Sequence, residues 1–527
     1  MSNDVTTPYG GAPRVPPSSR RRKLWVATGV AGLTGVVGLA ALGGLAARND
    51  KSDDAQRTAG AQQNVSDAGR PTEQQGPADK AADDRSDASW SGPDGKAGPD
   101  GKAGPDGKAG PDGKAGPDGK AGPDRKAGPD RGGRDEARRV PCNTDKLIEA
   151  IVRANANNGA TLELAKNCTY ELTRSQDGSG LPTIYQPITI RGEHSTITRA
   201  ATAAQFRIFT VAAGGRLDLC DVTVKGGQSL VPAMAAAPLA PPPFSPDGGA
   251  LFVAAGGSAH LDRTSFVNNS SFGNGGAVAN EGNTTVEHST VERNIALGGG
   301  GGLANSGRGV LRIGDSKILH NSANGGGGGG VLNLGGTVVF TKSAVDNNRT
   351  SGSGGGLHSA GGFVEADGTG FVENTAGDNG GGIRLTAGTS GASARLRHVA
   401  LVQNTAADNG GGLSNELSDA VVENSEIKAN VAGGIGGGVN NLGVGSTLTL
   451  RDTELTANQA ANGGGLVNNG GTVTLTRTKV TYNTAVLPTG IGGILNVPGG
   501  TVTLDAKTAV AANRPTNCGG TVPGCFG

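Results

Sequence analysis

Two short marks recur in lockstep through the C-terminal half of the chain, and together they leave very few folds open. The first is a glycine pair followed by an apolar residue. It occurs in ten copies, from Gly248-Gly249-Ala250 and Gly275-Gly276-Ala277 through Gly381-Gly382-Ile383 to Gly492-Gly493-Ile494. Successive second glycines stand 26 to 30 residues apart. The second mark is an apolar residue three places before an asparagine, which singles out Asn269, Asn294, Asn321, Asn348, Asn374, Asn404, Asn430, Asn458, Asn483 and Asn513. Five residues before each of these, hydroxyls hold a third register from Thr264 and Ser289 to Thr478 and Thr508, broken only at Val399. A fixed period of this size means stacked repeats. A merely Gly-rich low-complexity tract would not keep three registers at once.

The interior of a repeat says what is stacked. Thr472-Val473-Thr474-Leu475-Thr476 alternates polar and apolar, so Val473 and Leu475 share one face and the threonines the other. Runs this short, bounded by Gly and Asn, are strands. Three short strands and their turns use about 26 residues, one coil of a right-handed parallel β-helix with neighbouring strands roughly 4.8 Å apart. The fold class is therefore all-β, a solenoid of about thirteen coils and about 60 Å. An asparagine at this fixed place can tolerate the left-handed conformation and hydrogen-bond the coils on either side. The glycines are expected to permit a sharp bend.

The paired signatures GGxφ and FxxN stand literally in Phe266-Val267-Asn268-Asn269 with Gly275-Gly276-Ala277-Val278, and in Phe371-Val372-Glu373-Asn374 with Gly381-Gly382-Ile383. They resemble the repeats of polymorphic outer-membrane proteins. More broadly, the region from Val140 onward resembles a pectin-lyase-like right-handed β-helix. That resemblance implies the fold; it does not choose an activity, because the fold carries both enzymes and passive surface proteins. The chain departs from the outer-membrane family in lacking a C-terminal train of alternating strands for a membrane barrel, so autotransport is not implied.

The N-terminal third reads differently. Residues 1–23 form a polar tail ending in Arg20-Arg21-Arg22-Lys23, and Leu24 to Ala47 is an uncharged apolar run long enough to span a bilayer. The basic flank places the tail in the cytoplasm and the rest outside. The alternative is a signal peptide cleaved near Ala46-Ala47, with the domain secreted. The long apolar run and its leading tail favour a retained anchor. Residues 48–139 hold almost no large apolar side chains and read as a linker without a core. Within 92–124, GPDGKA repeats place Gly at every third position, a collagen-like pattern that would make the protein a trimer if it folded as a triple helix. A charge-balanced spacer is the other reading.

Residues 140–527 form the folded domain. Leu147, Ile148, Ile151, Val152 and Ala154 lie at helical spacing, with Thr144 as the expected cap, so this segment should close the first coil. Three less regular coils follow, at Thr161–Leu172, Thr183–Thr198 and Phe206–Val224. The proline-rich Gln228–Asp247 should leave the wall as a loop. Five cysteines in an exported chain suggest two bridges, Cys142 with Cys168 and Cys518 with Cys525, leaving Cys220 as a small apolar side chain.

Chemistry is hard to find in the sequence. A net charge of +1 offers no basic domain for nucleic acid. Both tryptophans, Trp25 and Trp90, lie outside the repeats, and the six histidines fall in registers that do not converge on a metal. No cofactor motif is present. Asp378 and Asp408 neighbour one another across a coil within Asp-Asn-Gly turns. One polar feature is organised. Six residues before the ladder asparagines stand Arg263, His288, Asp315, Lys342, Gly368, His398, Asn424, Asp452, Arg477 and Lys507, with Asp315/Lys342 and Asp452/Arg477 as opposite neighbours. This candidate docking stripe is either a solvated wall or a long face for an extracellular glycan or protein ligand. The sequence thus reads as an exported, membrane-tethered, non-catalytic β-helix rod for adhesion or surface structure. The alternative is a polysaccharide lyase or glycoside hydrolase.

Overall fold

The computed structural model describes residues 137–229, 245–389 and 391–526. The expected tail, the apolar segment 24–47, the Gly-x-y run and most of the Gln228–Asp247 loop lie outside the described residues. What is described is a parallel β-solenoid of about fourteen turns with a single α-helix.

One coil shows the plan. Leu466–Asn469, Thr472–Thr476, Lys479–Thr481 and Thr484–Ala485 are its four strands, and every pairing they make with the coils on either side is parallel. Repetition builds three sheets. A 12-stranded sheet follows the glycines, a 25-stranded sheet takes two strands from each regular coil, and a 9-stranded sheet of two-residue strands follows the asparagines. The alternation expected from the sequence sets the orientation. Val473, Leu475, Val480 and Leu466 are fully buried, while Thr472 and Lys479 face solvent. One continuous apolar core runs from Val140 to Val522.

Three expectations need correction. The asparagines themselves are not left-handed. The residue before each one is, at φ +53 to +57 from Asn268 and Arg293 to Tyr482 and Ala512, which frees the asparagine to turn its amide inward. The glycine mark is a triplet. Its first member is left-handed at Gly248, Gly275, Gly300, Gly328, Gly354, Gly380, Gly410, Gly436 and Gly463. Pairing of Val278 with both Leu251 and Leu303 then puts Ala250 and Ala277 in the third glycine place rather than the apolar one. The third correction is at the lid. The helix spans Thr144–Ala156, and Asn143 caps it by accepting from the Lys146 N–H at 3.0 Å; the Thr144 hydroxyl instead donates to the Glu171 carbonyl.

The ends are closed differently. Leu147, Ile151 and Ala154 of the helix cover the first coils, and Cys142 is joined to Cys168 with Cα atoms 5.6 Å apart. Val152 points to solvent. A strand at Arg138–Val140 pairs with Leu162–Leu164, ahead of the helix. At the far end Cys518 and Cys525 are joined across a small loop (Cα–Cα 6.3 Å), while Cys220 is unpaired and partly buried.

Candidate functional site

The strongest polar order is internal. Along the ladder each asparagine Oδ1 accepts from both the backbone N–H and the Nδ2 of the asparagine one coil earlier. At Asn374 these are Asn348 N at 3.0 Å and Asn348 Nδ2 at 3.1 Å. Its own Nδ2 donates to the Val345 carbonyl at 2.7 Å and to Asn404 Oδ1 at 3.0 Å. The series opens with Gly227 N–H on Asn269 Oδ1 and closes with Asn513 on Asn517 Oδ1. All ten ladder side chains are buried. Sequence reading missed a second ladder, on the 12-stranded sheet, where Asn280, Asn305 and Asn333 link coil to coil, as do Asn415, Asn441, Asn468 and Asn496. Ser359 accepts from Asn333, and Leu385 interrupts the row. Both rows satisfy buried amides and turn backbone, which is a structural duty.

The stripe lies outside. Nine of its ten positions, all but Lys507, are single left-handed residues at φ +45 to +61 that separate the two strands of the 25-stranded sheet in each coil. His194 and Asp221 continue the line into the earlier coils at φ +57 and +56. A left-handed residue between two strands makes an elbow, and successive elbows line up along the solenoid, with a groove at two places on that line.

A concavity of about 750 Å³ lies along this line. His398, Asn424, Asp452 and Arg477 line it together with Glu426, Glu454 and Lys479, which stand in register on adjacent coils. A second concavity of about 440 Å³ repeats the arrangement around His194, Asp221 and Arg263.

Charges along the groove are mostly paired. Arg477 is held by Asp452, with Nε–Oδ1 at 2.6 Å, and this bond keeps the Asp452 carboxyl below its ordinary range. Arg263 grips Asp221 at 2.8 and 3.0 Å and also meets Asp262. His288 and His398 rest on Asp262 (3.0 Å) and Asp367 (2.8 Å), and Lys428 on Glu426 (3.0 Å). The opposite neighbours Asp315 and Lys342 share the left-handed position on successive coils but form no ion pair among the described residues. Glu454 and Lys479 also lack ion-pair partners among the described residues.

Away from the groove, two other groups are unusual. The His358 ring lies under the glycine loops, its Nδ1 3.2 Å from the Gly326 carbonyl. Burial pushes its imidazole down to about 4, against that hydrogen bond and with the help of nearby Arg384. Its Nε2 is buried without a partner, as are Arg384 Nε, Ser414 Oγ and Asn440 Oδ1 in the same register on the next three coils. The Asp378 and Asp408 carboxyls touch, which raises Asp408, while Ser353 Oγ donates to Asp378 at 2.7 Å. Among the described residues no three His, Cys, Asp or Glu side chains gather in a metal-holding arrangement.

No family model matches the chain, and no curated protein matches it. Among solved structures it is similar to the A-module of mannuronan C-5 epimerase AlgE4 from Azotobacter vinelandii. The identity is 13% over 72% of this chain and 94% of that one, with a TM-score of 0.39. It is also similar to the catalytic unit of a thermostable GH87 alpha-1,3-glucanase from Streptomyces thermodiastaticus strain HF3-3, at 15% identity, 73% and 70% coverage and a TM-score of 0.37. A third is tailspike protein 3 of bacteriophage CBA120, at 15% identity, 71% and 59% coverage and a TM-score of 0.28. No residue role is carried over from any of them.

Proposed function

We propose that this chain is an exported surface rod, tethered through residues 24–47, that binds an extended glycan or protein partner along its elbow groove without transforming it. The observation that carries this reading is the elbow line itself: mostly polar left-handed residues on successive coils, with a concavity at each of two places along it and most of its charges held in pairs. The GGxφ and FxxN signatures, resembling those of polymorphic outer-membrane proteins, support a surface role. Many shallow contacts give modest affinity per molecule, which display of several copies on one surface multiplies.

The test is a glycan and protein binding screen on the purified protein, with reducing-sugar and unsaturated-product assays run in parallel. Lys479→Glu and Arg477→Glu should each weaken a bound partner several-fold, more at low salt, because exposed charges are screened. A single substitution that abolished binding outright would overturn the distributed groove.

One observation favours a second reading, a polysaccharide lyase or glycoside hydrolase. Glu426 and Glu454 stand side by side in the 750 Å³ concavity, one strand spacing or about 4.8 Å apart in backbone. Glycoside hydrolysis works with two carboxyls at comparable separations. Chain cleavage by the wild type that vanished in Glu426→Gln and Glu454→Gln would establish this reading in place of the first.

A further inference from the structure

The end of the solenoid that continues into the linker carries a charge imbalance that the chain as a whole does not. With 47 basic against 46 acidic residues the chain is almost neutral. The cleft of about 260 Å³ between strand Arg138–Val140 and the lid helix is nevertheless walled by Arg138, Arg139, Lys146 and Arg153 against one carboxylate, Glu149. That carboxylate is already used. Lys146 Nζ binds one of its oxygens at 2.9 Å and Arg153 the other, and the Lys146 bond, with Arg153 beside it, holds the Glu149 carboxyl below its ordinary range. Arg138 and Arg139 make no ion pair among the described residues. Val140, Pro141 and Ala150 complete the wall and compete for no proton.

Guanidinium groups lining a small cleft suit a tetrahedral oxyanion, which accepts their planar forks and neutralises their charge. A neutral sugar would leave that charge uncompensated. We propose that this cleft receives the phosphate of an anionic phospholipid headgroup and seats the capped end of the solenoid on the bilayer. The proposal rests on the membrane-tether reading above. Each basic side chain near an anionic surface contributes about a fivefold gain in occupancy.

The test uses the full chain reconstituted in nanodiscs of phosphatidylcholine alone or with phosphatidylglycerol, read by hydrogen exchange over residues 138–153. Exchange should slow on the anionic discs only, recover with added salt or inorganic phosphate, and recover in the Arg139→Glu/Arg153→Glu variant. The milder Arg139→Gln/Arg153→Gln pair, with its melting temperature checked, guards against a folding defect. Equal exchange on both lipids, or an unchanged double variant, would overturn the proposal. If the chain does not enter the discs, the tether reading fails separately. Flotation of the soluble chain with vesicles of the same two compositions then still scores the cleft, and equal flotation with both would overturn it.

Discussion

Asn374→Ala is the sharpest test of how the coils are held. The side chain makes four hydrogen bonds, two accepted from Asn348 and two donated, to the Val345 carbonyl and Asn404 Oδ1. Alanine removes all four. The Asn348 backbone N–H loses its partner in a buried place, whereas Asn348 Nδ2 keeps its bond to the Ile318 carbonyl and Asn404 Oδ1 keeps the Asn374 N–H. At about 1 kcal/mol for each of the other three bonds and about 1–3 for the stranded N–H, the loss comes to about 4–6 kcal/mol. That is a large part of the ~5–15 kcal/mol that holds a typical domain. Urea unfolding followed by circular dichroism gives the magnitude, and hydrogen exchange at the Asn348 amide gives the location. Gln459→Ala, an exposed position on the same 9-stranded sheet as the ladder's neighbouring strands, should change stability by less than about 0.5 kcal/mol. A loss below about 1 kcal/mol at Asn374, or unchanged protection of the Asn348 amide, would falsify the ladder as the main polar tie between coils.

Two further perturbations test separate parts of the structure. Val399→Thr should be neutral or stabilising by about 0.5–1.5 kcal/mol in thermal melts. Val399 is the one gap in a hydroxyl row whose members accept from the backbone N–H one coil earlier, as Ser425 does from Val399 itself, so a threonine there gives the Thr369 N–H an acceptor. A clear loss of stability would mean that the row is incidental. The His358 imidazole protonates near its ordinary 6.5 when unfolded but only near 4 when folded. Between those values the unfolded chain binds more protons, so stability should fall as pH drops from about 6.5 toward 4. His358→Gln should flatten that limb, and an unchanged pH profile would show that the ring is not buried neutral.

The parts legible in the sequence are those that repeat with one residue type per coil. The interior asparagine has a single duty, so its letter hardly varies, and the alternation of Thr472–Thr476 places the core directly. The second ladder stayed hidden because Ser359 and Leu385 break it in the middle. The triplet slipped by one place because Ala250 and Ala277 imitate the apolar position. The elbows were invisible for a different reason: their sign is negative. Neither left-handed register carries a single β-branched residue, since Val, Ile and Thr are most strongly penalised there. The basic cleft depends on a strand and a helix that meet only in three dimensions, which no repeat announces.

Those left-handed elbows also explain why the groove is the place for recognition. A non-glycine residue held there costs about 1 kcal/mol or more. Every regular coil but the last contains two left-handed positions, Gly368 being the one glycine among them, offset by the buried ladders beside them. Inside, an asparagine cannot be exchanged without stranding its neighbours' amides. Outside, the elbow excludes β-branched residues but is indifferent to charge, and so accommodates Arg263, His288, Asp315, Lys342 and Asn424 at equivalent places. The backbone is therefore uniform where the coils must stack and permissive along one exposed line. A partner that reads this molecule would find position-specific chemistry on that line, and nearly the same coil everywhere else.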